Sequence, residues 1–84
     1  MATPTKAQLR VLAKVRCAEC FRGGHKISDS LAAAAYGECP RAVFDSCKRA
    51  GWVIWTDGGS VLTASGSALL SELLMEPRGA RRGA

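Results

Sequence analysis

Two β-rich runs on either side of a glycine-rich turn constrain this chain most. Residues 52–56 read WVIWT and residues 60–63 read SVLT, joined across Asp57, Gly58 and Gly59. Asp-Gly between β-branched and aromatic residues is a strong hairpin signal. A two-stranded hairpin is barely stable alone in water, so its apolar side chains need helices to pack on. Trp52, Val53, Ile54, Trp55, Val61 and Leu62 are the candidates for that packing face. The chain has 84 residues, which is one domain with a modest core and no deep cleft between lobes. A binding module is therefore expected rather than an enzyme.

Helical patterns flank the hairpin on both sides. Residues 3–21, TPTKAQLRVLAKVRCAECF, predict a first helix, with Thr3 or Thr5 able to cap its free N–H groups. Leu9, Val11, Leu12, Val15 and Cys20 fall on one apolar arc, and Gly23-Gly24 marks the helix end. Residues 25–38 predict a short second helix with Ser28 as N-cap, Asp29 in the first turn and Gly37 as a stop. Its four alanines let a neighbouring helix approach closely. Residues 39–51, CPRAVFDSCKRAG, predict a third helix with Pro40 in its first position and Gly51 in the left-handed position after its end. Val43, Phe44 and Cys47 form its apolar face, and Arg41, Asp45, Lys48 and Arg49 its exposed set. The fourth helix, ASGSALLSELLM, offers Leu69, Leu70, Leu73 and Leu74 to the core. The missing side chain of Gly66 would let it start close against the strands. Residues 1–75 are expected to form the domain, and residues 76–84 a basic, disordered tail.

Charge narrows the partner class. The net charge is +5, and residues 6–26 hold six cations against one carboxylate, Glu19. Such a balance favours an anionic partner, nucleic acid or an acidic protein surface. Lys6, Arg10 and Lys14, spaced four apart, form a stripe outside the apolar arc. The bland reading of such a stripe is a solvated helix face. The longest apolar run, LAAAAY, is far too short to span a bilayer, and the N-terminus lacks the apolar core of a signal peptide. No membrane role and a cytoplasmic location are expected, where the four cysteines stay reduced.

The cysteines invite a metal reading that the spacing does not support. Cys17 and Cys20 form one C-x-x-C, with His25, Cys39 and Cys47 beyond it, and no second C-x-x-C follows. No metal and no cofactor are expected. No strand precedes the C-x-x-C, as a thioredoxin-like redox motif requires. Cys17 falls near the basic stripe, which would make its thiol more acidic; an ordinary small side chain is the simpler expectation. His25 reads as a loop residue, and no nucleophile–base arrangement or catalytic carboxylate pair is evident.

The order of elements resembles a known family. TKAQLRVLAKV, AVFDSCKRAGWV and VLTASGSALLSEL are similar, in that order, to segments of small bacterial and phage winged helix-turn-helix proteins. The last carries an LTxxGxxLL pattern common in the MarR-like group. The resemblance covers about residues 5–75. It implies a mainly α fold with a β-hairpin: three helices, a two-stranded wing and a C-terminal helix. It also implies a DNA-binding transcriptional regulator acting on double-stranded DNA, with a homodimer through the C-terminal helix. Carried over by position, Arg41, Ser46, Lys48 and Arg49 on the third helix would touch bases or phosphates, and Lys6, Arg10 and Lys14 would add phosphate contacts. Two departures stand out. The wing tip, Asp57-Gly58-Gly59, carries no cation, and Glu38 and Asp45 offset the third-helix cations. They favour an alternative, a protein-binding winged helix that serves as an adaptor or as a phage-encoded inhibitor of a host complex. Trp52 and Trp55 are then the candidate contacts. Three apart on a strand, they should face opposite sides, so that one is left for a partner.

Overall fold

The computed structural model describes residues 3–82, with side chains through Leu74. Residues 83 and 84 of the expected tail lie outside the described residues, as do all side chains from Met75 onward. The order of elements is α1 (Lys6–Gly23), α2 (Asp29–Ala35), α3 (Arg41–Arg49), β1 (Val53–Thr56), β2 (Gly59–Leu62) and α4 (Ala64–Arg82). The protein is thus mainly helical among the described residues, with one antiparallel hairpin paired from Val53↔Leu62 to Thr56↔Gly59. Among the described residues no helix is long and apolar enough to cross a membrane.

Local chemistry sets the helix ends. Thr5 caps α1 in a reciprocal box: its hydroxyl accepts from the Gln8 N–H, and the Gln8 side chain accepts from the Thr5 N–H. Ser28 caps α2 by accepting from the Leu31 N–H at 3.2 Å. Pro40 sits one place earlier than expected, as the extended N-cap of α3. Its fixed φ serves there as well, since that position needs no helical N–H. The exit from α3 is a full Schellman turn. Gly51 N–H donates to Lys48 C=O and Trp52 N–H to Cys47 C=O, with Gly51 at φ 83. A residue with Cβ would be strained at that angle, so glycine lets the chain fold straight back into β1.

The core lies where α1 crosses the other elements. Val11, Leu12, Ala13 and Val15 of α1 are buried together with Leu31, Cys47, Val53 and Leu70. Val43, Phe44, Trp52, Leu62, Leu69 and Leu74 pack around them half-buried. The apolar faces expected on α1, α3 and α4 therefore meet. The hairpin differs from expectation: Val53, Trp52 and Leu62 face the helices, whereas Ile54 and Trp55 are exposed. Successive strand residues alternate sides, which turns Ile54 outward. Trp55 shares a side with Val53, yet it lies further along the hairpin, past the edge of the core.

The junction between hairpin and α4 explains the LTxxG segment. The Thr63 hydroxyl accepts from the Gly66 N–H at 3.1 Å and donates to Gly51 C=O at 2.6 Å. Thr63 N–H donates to Trp52 C=O at 3.0 Å. One threonine thus caps α4 and ties it to the exit of α3. A Cβ at Gly66 would stand 2.1 Å from the Trp52 carbonyl oxygen, which is backbone and cannot swing aside. Gly→Ala inside a helix ordinarily stabilises by about 1 kcal/mol. Here Gly66→Ala should destabilise by about 2 kcal/mol or more, because overpacking outweighs propensity. Urea unfolding checks this; an unchanged or raised midpoint would contradict the close approach.

Candidate nucleic-acid interface

Helix α3 has an inner face and a cleft face with different work. Its inner face carries Val43 and Cys47 into the core. Ser46 also turns inward: its hydroxyl donates to Val43 C=O at 2.6 Å and accepts from the Gln8 amide at 3.1 Å. The sequence places Ser46 among the contact residues, but these bonds fasten α3 to α1 and leave it no outward reach. Arg41, Lys48 and Arg49 are exposed, as expected, while Asp45 is half-buried.

The second face of α3 borders an open cleft. Arg41, Phe44, Asp45 and Lys48 line one side, and Trp55 and Ser60 of the hairpin line the other. This space measures about 660 Å³. A second lobe of about 370 Å³ continues it past Cys39, Phe44 and Trp55 to Lys14, Val15 and Ala18 of α1. The Lys48 ammonium lies 5.7 Å from the centre of the Phe44 ring, a cation–π distance that holds the charge at the rim. Trp55 is 68% exposed, whereas Trp52 packs on the core. One tryptophan packs and the other is exposed, though not by strand alternation: Trp52 precedes β1, and Trp55 lies on the same side as Val53 but beyond the core.

The three cations of the α1 stripe have different surroundings. Lys6 is exposed at the start of the helix. Arg10 donates to Glu38 C=O at 3.1 Å and so holds the α2–α3 connection. Lys14 lines the cleft. Two further α1 arginines are also bound inside the molecule. Arg16 pairs with Glu19 at 2.9 Å and donates to Ser67 on α4. Arg22 donates to Ser60 C=O on β2 at 3.1 Å. The remaining Glu19 oxygen accepts from the Leu62 N–H at 2.7 Å. Sequence reasoning missed Glu19, Arg16 and Arg22. The only signal available was the i, i+3 spacing of charges along α1 at 16, 19 and 22, which gives no clue to a partner on the hairpin or α4.

Of the four cysteines, Cys39 borders the cleft, whereas Cys17, Cys20 and Cys47 do not. Among the described residues no group of three or more His, Cys, Asp or Glu is placed to hold a metal. The basic stripe does not make Cys17 acidic. Burial pushes its thiol above the ordinary range, Cys20 adds to the rise, and Lys14 opposes it. Cys47 is raised as well, by burial first and then by Cys39, against a hydrogen bond with Ser46. The folded state thus holds these two thiol protons more tightly than the unfolded chain does. That contribution is whole below the unfolded thiol range, about pH 8.5, and is lost as pH rises through the folded values. Urea stability should therefore fall above about pH 8.5, and the fall should shrink when Cys17 and Cys47 are both replaced by alanine. The same decline in the double variant would contradict this assignment. Comparison of the chain with family models, curated proteins and solved structures finds no match.

Proposed function

We propose that this chain is a winged-helix protein that binds double-stranded DNA, a small regulator of bacterial or phage type. It acts by binding, not by catalysis. The observation that carries this reading is the presentation of Arg41, Lys48 and Arg49 on α3. All three are exposed, while Ser46 and Cys47 of the same helix are locked against α1 and the core. A rigid helix with an outward cationic face beside a hairpin suits a major groove flanked by phosphates. Lys6 adds charge at the start of α1. Arg10 is not assigned to DNA, because it serves the α2–α3 connection. A homodimer through α4 would bring two copies of α3 to two half-sites and multiply a small set of contacts.

A second reading has its own support. The hairpin tip carries Asp57 and no cation, and Trp55 stands exposed beside it. Those features suit a protein partner anchored by an aromatic side chain, as in an adaptor or an inhibitor of a host complex.

Fluorescence anisotropy of labelled duplex DNA across a salt series separates the two. Contacts by three α3 cations predict a log–log salt slope of about −3. Arg49→Ala should weaken binding to all sequences and reduce that slope by about 1. Absence of duplex binding at low salt would overturn the DNA reading.

A further inference from the structure

The cleft between α3 and the hairpin has a composition that a duplex-reading surface does not need. Its floor is aromatic and apolar, with Phe44 and Trp55. Its rim is cationic, with Arg41 and Lys48 on α3 and Lys14 on α1. One half-buried carboxylate, Asp45, lies among them. At about 660 Å³ the space is within the usual range of small-ligand clefts, about 300–1,000 Å³. An intact base pair cannot offer a ring face to Trp55, because its faces are covered by its neighbours in the stack.

We propose that this cleft holds an unpaired nucleobase of single-stranded nucleic acid, stacked on Trp55, with the flanking phosphates on Arg41, Lys48 and Lys14. The proposal rests on the nucleic-acid reading above and extends it from paired to unpaired strands. Each part of the ligand meets a matching group. A base offers a π-face to the indole, and stacking of this kind tolerates any sequence. Its phosphates meet the rim cations. Its amino or imino N–H groups can donate to the Asp45 carboxylate. The aromatic ring decides against the competing occupant: an acidic protein segment would suit the rim as phosphates do, but its carboxylate side chains offer no flat face to Trp55.

The binding wall is built to stay in place. Ser60, which lines the cleft opposite α3, has its carbonyl held by Arg22, and β2 is held further along by Glu19. Trp55 is paired with Ser60 across the hairpin. The indole therefore projects from a hairpin whose backbone is fixed to α1, so little backbone ordering is left to occur on binding.

The test uses the full chain with a labelled single strand of about 12 thymidines and a duplex of equal length. Anisotropy gives affinity, and tryptophan emission reports stacking. Single-strand binding should quench the emission. Trp55→Ala should weaken single-strand binding about fivefold or more, while leaving duplex binding unchanged. Trp55→Phe, which keeps an aromatic face, should retain most of the affinity while the quenching is lost. The indole is largely exposed, so neither variant removes core packing. Binding of the single strand alone would support the cleft assignment and overturn the duplex reading. Duplex binding with no single-strand binding, or single-strand binding indifferent to Trp55→Ala, would overturn the cleft assignment and leave the duplex reading standing. Failure of both probes at low salt would overturn both. Trp55-dependent binding of a synthetic acidic peptide bearing a leucine, with no oligonucleotide binding, would assign the cleft to a protein segment instead.

Discussion

The outer edge of β2 is closed by two charged side chains from a single turn of α1. Glu19 accepts the Leu62 N–H and Arg22 donates to the Ser60 carbonyl. A strand edge otherwise leaves such groups open to water or to another strand. A two-stranded hairpin has little stability of its own, and charge-assisted hydrogen bonds are the stronger kind. Helix α1 takes the place of a third strand. The bonds at the start of α4 then follow, since Thr63 comes directly after Leu62 and ties α4 to Gly51 and Trp52. Arg16 adds a link from Glu19 to Ser67 on α4.

This arrangement redistributes the charge. The N-terminal half is strongly basic in sequence, yet Arg10, Arg16 and Arg22 each bond within the molecule. Lys6, Lys14 and Lys26 make no such bond among the described residues. The division follows the chemistry of the two side chains. The planar guanidinium fork loses less freedom per hydrogen bond and bridges backbone carbonyls readily, whereas an ammonium stays hydrated. Arg10 and Arg22 keep their charge, because their partners are neutral carbonyls, but their side chains are already engaged; among the described residues the α3 cations and the α1 lysines stand without such a bond around a cleft walled by Trp55. The proposed nucleic-acid function rests on that residue set rather than on net charge.

Much of the fold is legible in the sequence because it depends on local rules. Thr5, Ser28, Gly51 and the Asp57-Gly58 turn act within a few residues of themselves, so their roles can be read without partners. The apolar arcs of α1, α3 and α4 are periodic, and they do meet in the core. The missing side chain of Gly66 suggests a close approach, which the structure has, but the Trp52 carbonyl that requires it is 14 residues away and is not visible in the sequence. The site is less legible, because its chemistry is long-range. A helical wheel places Ser46 beside exposed cations but cannot show Gln8 reaching it from 38 residues away. Spacing puts Arg10 in a stripe with Lys6 and Lys14 but cannot show the Glu38 carbonyl beside it. For Cys17, sequence shows the nearby lysine, while burial, which outweighs it, appears only in three dimensions.

Hydrogen exchange at the Leu62 amide tests the central constraint most directly. In the native protein that N–H should be protected like the amides of the α1 core, although it points away from β1. In Glu19→Ala it should exchange about tenfold faster or more, while the amides around Leu12 keep their protection. Equal exchange at Leu62 in both proteins would mean that α1 does not hold the hairpin, and the fixed wall of the cleft would lose its basis.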